Sequence, residues 1–165
     1  MSDPLVIPCP HCNGLNRLPA ARLGDAPKCG RCKQAVLLSR PFDLSEANYA
    51  SQIKGDLPLL IDVWADWCGP CKQFAPIYEE ASQKHENITF GKVDTEDQQQ
   101  LAAAAGITSI PTIMGFREGV LVFSQPGALN AQQFDQVIEA VQGLDMAEVH
   151  QQVADAEKAQ QENAE

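Results

Sequence analysis

Positive charge is scarce in this chain: 12 Lys and Arg stand against 22 Asp and Glu, a formal net charge of −10. A surface of that sign is repelled by phosphate, which argues against nucleic acid as a partner. Long apolar runs are lacking too. No stretch approaches the length that spans a bilayer, and the opening "MSDPLVIPCPHC" has neither a basic flank nor an apolar segment of leader type. The sequence therefore predicts a soluble, cytoplasmic protein with no membrane partner. What it does have is six cysteines, arranged as three Cys-x-x-Cys pairs: "CPHC" at 9–12, "CGRC" at 29–32 and "CGPC" at 68–71. In a reducing compartment such pairs point to metal binding or redox catalysis rather than to a disulfide framework.

The few basic residues are unevenly placed. Residues 1–40 hold six Lys and Arg against two Asp and Glu, whereas residues 41–165 hold six against twenty. The basic head shows no sustained helical or strand period and is too short and too polar to build a core by apolar burial alone. Its cysteines supply the alternative. Cys9 and Cys12, then sixteen residues, then Cys29 and Cys32 follow a zinc-site spacing in which each pair forms a knuckle and two knuckles complete a tetrahedron. Four thiolates leave no open coordination position, so one structural Zn²⁺ per chain is expected. The net −2 of such a centre is offset by Arg17, Lys28, Arg31 and Lys33 nearby in sequence. His11 is expected to be exposed, since a fourth cysteine is available.

From about residue 40 strand and helix patterns alternate. "DLSEANYASQI" begins with an Asp43/Glu46 capping-box spacing and predicts a helix. "PLLIDVWA" is a nearly continuous apolar run, expected of a central strand covered on both faces. A helix follows over "CGPCKQFAPIYEEASQKH", interrupted at Pro76. "ITFGKVD" reads as a second central strand, and "TEDQQQLAAAAG" as a helix opened by Thr95 and closed by Gly106. "TIMGF" and "VLVFS" flank "REG" as an antiparallel hairpin. In "NAQQFDQVIEAVQG" the residues Phe134, Val137, Ile138 and Val141 share a helical face. The fold class is α/β, a mixed sheet with helices on both sides. The expected divisions are a metal-binding segment over 1–39, the α/β domain over 40–142, and a polar, helical or disordered extension over 143–165.

Cys68 and Cys71 have no third and fourth ligand at knuckle spacing. They follow a buried strand and open a helix, so Cys68 sits where backbone N–H groups and the helix dipole favour a thiolate. Pro70 restricts the turn and keeps the two sulfurs close. Cys68 is thus the expected nucleophile and Cys71 the resolving thiol. Asp62 interrupts the apolar run and should be desolvated, with a raised pKa, able to exchange a proton with Cys71.

"WADWCGPCK", "GKVD", "SIPT" and "PGAL", in that order over residues 40–142, resemble the thioredoxin family, and the four-cysteine head resembles its bacterial thioredoxin-2 type. The resemblance implies a central mixed sheet flanked by four helices, preceded by a small zinc-ribbon-like domain. It implies protein-disulfide reduction, with disulfide-containing clients as substrates and thioredoxin reductase as electron donor, in a monomer. It assigns Lys92 a place beside Asp62, Trp64 a place beneath the active site, and Trp67, Gly69, Pro70, Ile110, Pro111 and Gly127 to the client surface. Pro111 resembles the family's cis-proline, an isomer that sequence does not show. Pro126 departs from the family pattern.

Two other functions use the same residues. A thiol oxidase or isomerase shares the fold with a different dipeptide between the cysteines, and Gly69-Pro70 resembles the reducing branch. A redox-regulated zinc-binding holdase or interaction module would make the head the functional part.

Overall fold

The computed structural model describes residues 4–85 and 87–163. Two short strands, β1 (Leu5–Pro8) and β2 (Leu15–Leu18), pair antiparallel in the head, which continues through a 3-10 turn at Ala20–Asp25. This hairpin is an addition to the expectation: four-residue strands interrupted by knuckles leave too little pattern to read.

Next come β3 (Phe42–Asp43), α1 (Tyr49–Ile53), β4 (Leu59–Trp64), α2 (Gly69–Lys84), β5 (Thr89–Asp94) and α3 (Gln99–Ala104). The hairpin β6 (Thr112–Arg117) and β7 (Val120–Pro126) precedes α4 (Ala131–Gln142) and α5 (Met146–Asn163). The five-stranded sheet has the order β3-β5-β4-β6-β7, with β3, β5 and β4 mutually parallel and β6 and β7 antiparallel. β4 is central, which is why its run "LLIDVW" is apolar on both faces. The β6–β7 turn places Glu118 and Gly119 at φ 52° and 83°, which suits glycine at the second position of a two-residue hairpin turn.

Alternation along the strands sorts the core into two layers. Leu60, Phe90 and Ile113 pack with Phe74 and Tyr78 of α2 and Phe134 and Ile138 of α4. Leu59, Ile61, Val63, Val93, Met114 and Phe116 form the other layer, with Leu101 of α3 and, half-buried, Tyr49 and Ile53 of α1. The buried Tyr78 hydroxyl lies 2.8 Å from the Leu60 carbonyl and 2.7 Å from that of Gly91, tying α2 to β4 and β5.

Two helix starts differ from expectation. Asp43 is drawn into β3, where it pairs with Lys92, and the Ser45 N–H donates to Asn48 Oδ1, so α1 begins only at Tyr49. The Thr95 hydroxyl donates to the Trp64 carbonyl, so α3 starts four residues later. The box that does form is at α4, where Asn130 and Gln133 cap each other.

The head packs on the body. Val6 N–H donates to Asp56 Oδ2 (2.7 Å) while Asp56 N–H donates to the Val6 carbonyl (2.9 Å). Gln52 Nε2 donates to the Pro8 carbonyl, and Asn13 Nδ2 to that of Ala47. Leu57, just ahead of β4, is buried among Ile7, Leu23 and Val36 of the head. A Cβ on Gly55 would lie 2.7 Å from Cδ of Pro8, a rigid ring with nowhere to turn. Gly55→Ala is therefore expected to lever the head off the body at an overpacking cost of about 1–3 kcal/mol. A lowered urea midpoint together with faster proteolysis near residues 33–41 would register it.

Candidate active site and metal centre

In the head, Cys9 and Cys29 each start a tight turn. Asn13 N–H donates back to the Cys9 carbonyl and Lys33 N–H to that of Cys29. The residue after each pair, Asn13 or Lys33, takes φ near +65° (64° and 66°), so the two knuckles repeat one geometry. Sγ of Cys9 lies 3.6 Å from that of Cys32, Sγ of Cys12 lies 3.6 Å from that of Cys29, and all four sulfurs fall within 4.8 Å of one another. A tetrahedron with Zn–S of about 2.3 Å has edges of about 3.8 Å, so the four are spaced to bind one metal ion. Backbone N–H groups of His11, Gly14 and Arg31 point at Cys9, Cys12 and Cys29 sulfurs. Burial pushes the Cys9 thiol up to about 12, whereas the N–H groups of Cys32 and Arg31 hold Cys29 down at about 6. A divalent cation at their centre would let all four ionise together. His11 is exposed, as expected.

The second pair lies where β4 hands over to α2. Cys68 is the N-cap of α2, its sulfur accepting from the Cys71 N–H at 3.2 Å, with Gly69 and Pro70 as the first helical residues. The two cysteines are joined as a disulfide with Cα atoms 5.2 Å apart. Cys71, Phe74 and Tyr78 form the buried stripe of the helix, so Cys71 faces the sheet.

Asp62 is on the α2-facing side of β4, since it lies two residues on from Leu60 of that layer and shares its face. It is fully buried and neither carboxylate oxygen has a hydrogen-bond partner. Loss of solvation raises its pKa to about 7, against a smaller lowering by the Lys92 charge. Lys92 is its register partner on β5, yet the ammonium sits 4.5 Å above the Trp64 ring centroid, so it acts on Asp62 through space. Trp64 is itself half-buried, its indole N–H enclosed without a partner.

Ile110-Pro111 is a cis peptide bond. The Pro111 carbonyl accepts from Gly127 N–H at 2.8 Å, and Gly127 has φ 105°, a conformation other residues rarely adopt. Trp67 stands outside, 69% exposed, beside a groove that runs to Ile110. Pro126 closes β7 opposite Thr112.

Paired thiols at a helix mouth on this strand order define a thiol-disulfide oxidoreductase. A family model described as Thioredoxin matches residues 40–140, and one described as Thioredoxin 2, N-terminal, a zinc ribbon, matches residues 8–34. The chain belongs to the thioredoxin family and is a protein-disulfide reductase. A Streptomyces coelicolor chain assigned to thioredoxin 2 is 48% identical over 118 residues, covering 72% of this chain and 88% of that one. Thioredoxin C-3 of Corynebacterium nephridii is 39% identical over 144 residues, covering 84% and 99%. Among solved structures, a thioredoxin from Halobacterium salinarum superposes with TM-score 0.60 at 26% identity, over 65% of this chain and 95% of that one. Thioredoxin f2, solved in complex with ferredoxin:thioredoxin reductase, superposes with TM-score 0.61 at 29% identity, over 66% and 100%.

Proposed function

We propose that the Cys68 thiolate attacks a client disulfide, that Cys71 resolves the resulting mixed disulfide, and that Asp62 takes the Cys71 proton. The observation that carries this reading is the placement of Cys68 as the cap of α2, with the buried, unpartnered Asp62 under the same helix. In the first step a Cys68–client S–S bond forms, the client S–S breaks, and one client sulfur leaves as thiolate, to be protonated by solvent. In the second, Cys71 loses its proton to the Asp62 carboxylate and attacks Cys68 sulfur, forming the Cys68–Cys71 bond and releasing the second client thiol. Two electrons pass to the client, and thioredoxin reductase, the donor implied by family membership, restores the dithiol. Lys92 tunes Asp62, while Trp67, Gly69, Pro70, Ile110, Pro111 and Gly127 form the client surface. There a client lies extended against the backbone before Pro111.

The metal is Zn²⁺, one per chain, held structurally by Cys9, Cys12, Cys29 and Cys32. Thiolate-only ligation at this spacing supports zinc over harder cations. The segments act as a zinc ribbon over 1–39, a catalytic domain over 40–142 and an accessory extension over 143–165, in a cytoplasmic monomer that binds neither nucleic acid nor membrane. Among the described residues no helix is long and apolar enough to cross a bilayer.

Asp62 gives the reading a pH test. Its folded pKa of about 7 lies above the ordinary carboxylate value, so between about pH 4 and pH 7 the folded protein holds a proton that the unfolded chain has lost. Stability therefore falls as pH rises through that window and stays low above it. Asp62→Asn should flatten this slope and stabilise the protein above pH 7 by a few kcal/mol, with about 4 as an upper bound at about 1.4 kcal/mol per unit. The same variant should slow mixed-disulfide resolution by roughly 10- to 10²-fold, toward the low end of general-base effects. Parallel stability profiles for parent and variant between pH 4 and pH 9 would contradict the assignment.

A further inference from the structure

Trp67 is exposed over most of its surface, yet its indole edge is engaged: Nε1 donates to Glu96 Oε1 at 2.6 Å. Glu96 is exposed as well, so the contact gains nothing from burial. What distinguishes it is how firmly the backbone of the acceptor residue is held. Glu96 N–H donates to Asp94 Oδ1 (2.9 Å), and its carbonyl accepts from Gln99 Nε2 (3.3 Å). The preceding Thr95 is bound through both its N–H and its hydroxyl to the carbonyl of Trp64 (2.9 and 3.2 Å), three residues before Trp67. The turn between β5 and α3 is thus fixed to the end of β4, and Glu96 reaches from it to the ring.

The ring forms one wall of an open groove whose other walls include Thr95, Ala102 and Ile107 and whose far end is Ile110, immediately before Pro111. A free surface tryptophan exchanges among rotamers and must be ordered each time a ligand packs on it. A ring already tethered has lost that freedom beforehand.

We infer that Glu96 is a specificity-determining positioning residue: its carboxylate presets Trp67 as a wall of the groove and so favours clients that lay an extended apolar segment beside the reacting disulfide. A small disulfide that does not enter the groove gains nothing from it. The inference rests on the disulfide-exchange reading above and assigns Glu96 no part in the exchange itself.

The test uses full-length, zinc-loaded protein with Glu96→Leu and Glu96→Gln. Glutamine keeps a side-chain carbonyl that accepts from the indole, whereas leucine keeps bulk alone. With insulin as protein disulfide, Glu96→Leu should raise KM roughly three- to tenfold, the factor expected for re-ordering one large side chain, with kcat held. Turnover of 5,5′-dithiobis(2-nitrobenzoate) should stay at the parent value. The chain has two tryptophans, so an indole ¹H–¹⁵N spectrum has one signal from Trp64 and one from Trp67. The Trp67 signal should move upfield and exchange faster with solvent in Glu96→Leu, and Glu96→Gln should restore both it and KM. An unmoved indole signal, an unchanged KM, a glutamine variant as impaired as leucine, or a loss of kcat on both substrates would each overturn the inference. A parent protein that reduced neither disulfide would instead count against the disulfide-exchange reading.

Discussion

Cys68→Ser is expected to bring insulin-disulfide reduction down to the rate of a protein-free blank. A hydroxyl cannot form the mixed disulfide, and no other free thiol stands at a helix N-cap, since Cys9, Cys12, Cys29 and Cys32 face one another in the head. Cys71→Ser should fail differently. Its Cys68 thiolate still attacks, but without a resolving sulfur the mixed disulfide accumulates, so clients are captured as covalent adducts that dithiothreitol releases. The asymmetry follows from α2: Cys68 is its N-cap and accepts the N–H there, while Cys71 lies inside the first turn on the face toward the sheet. Both variants should keep the parent fold, because a thiol-to-hydroxyl change here alters little volume. Adducts on Cys68→Ser, or turnover surviving in it, would reverse the assignment of roles.

Removing the metal should have the largest structural effect. The head's burial amounts to a few side chains, Ile7, Leu23 and Val36 together with Leu57 of the body, so ion binding must supply most of its folding energy. For structural zinc that energy is about 10–16 kcal/mol at neutral pH. Chelation under denaturing conditions followed by refolding without metal should leave residues 5–39 without dispersed amide signals. The body should stay folded but melt lower. Uncovering Leu57 costs about 1.5–3 kcal/mol, or roughly 3–12 °C for a chain of this size. Thiol counting on the reduced native protein should find two reactive groups, Cys68 and Cys71, rising to six once the metal is removed. A head that keeps its amide dispersion with no bound metal would refute the structural role.

The sequence showed most clearly what rests on short-range chemistry. Spacing and neighbourhood together separated the metal pairs from the redox pair, because ligands must converge on one ion and an attacking thiol needs a helix end. Asp62 stood out as a carboxylate in an apolar run, and it is fully buried there. Helix starts were harder to read. Asp43/Glu46 and Thr95/Gln98 have capping spacing, but strand pairing with Lys92 and the carbonyl of Trp64 compete for Asp43 and Thr95, and such tertiary competition leaves no local trace. The Asn130/Gln133 box meets no such competitor and forms at the start of α4. Glu96 could not be found from sequence at all, since its partner lies 29 positions away and nothing about a surface glutamate marks it.

The margin of the sheet at β3 is only two residues long, with Pro8, Pro10 and Val36 of the head close to Phe42 there. Exposed strand margins invite neighbouring molecules to add on, and brevity plus cover is how soluble proteins prevent it. A body shorn of its small metal fold would show Phe42, Leu57 and an open backbone ladder to every copy around it. Loss of the metal from those four cysteines is then expected to lower the protein's solubility as well as its stability.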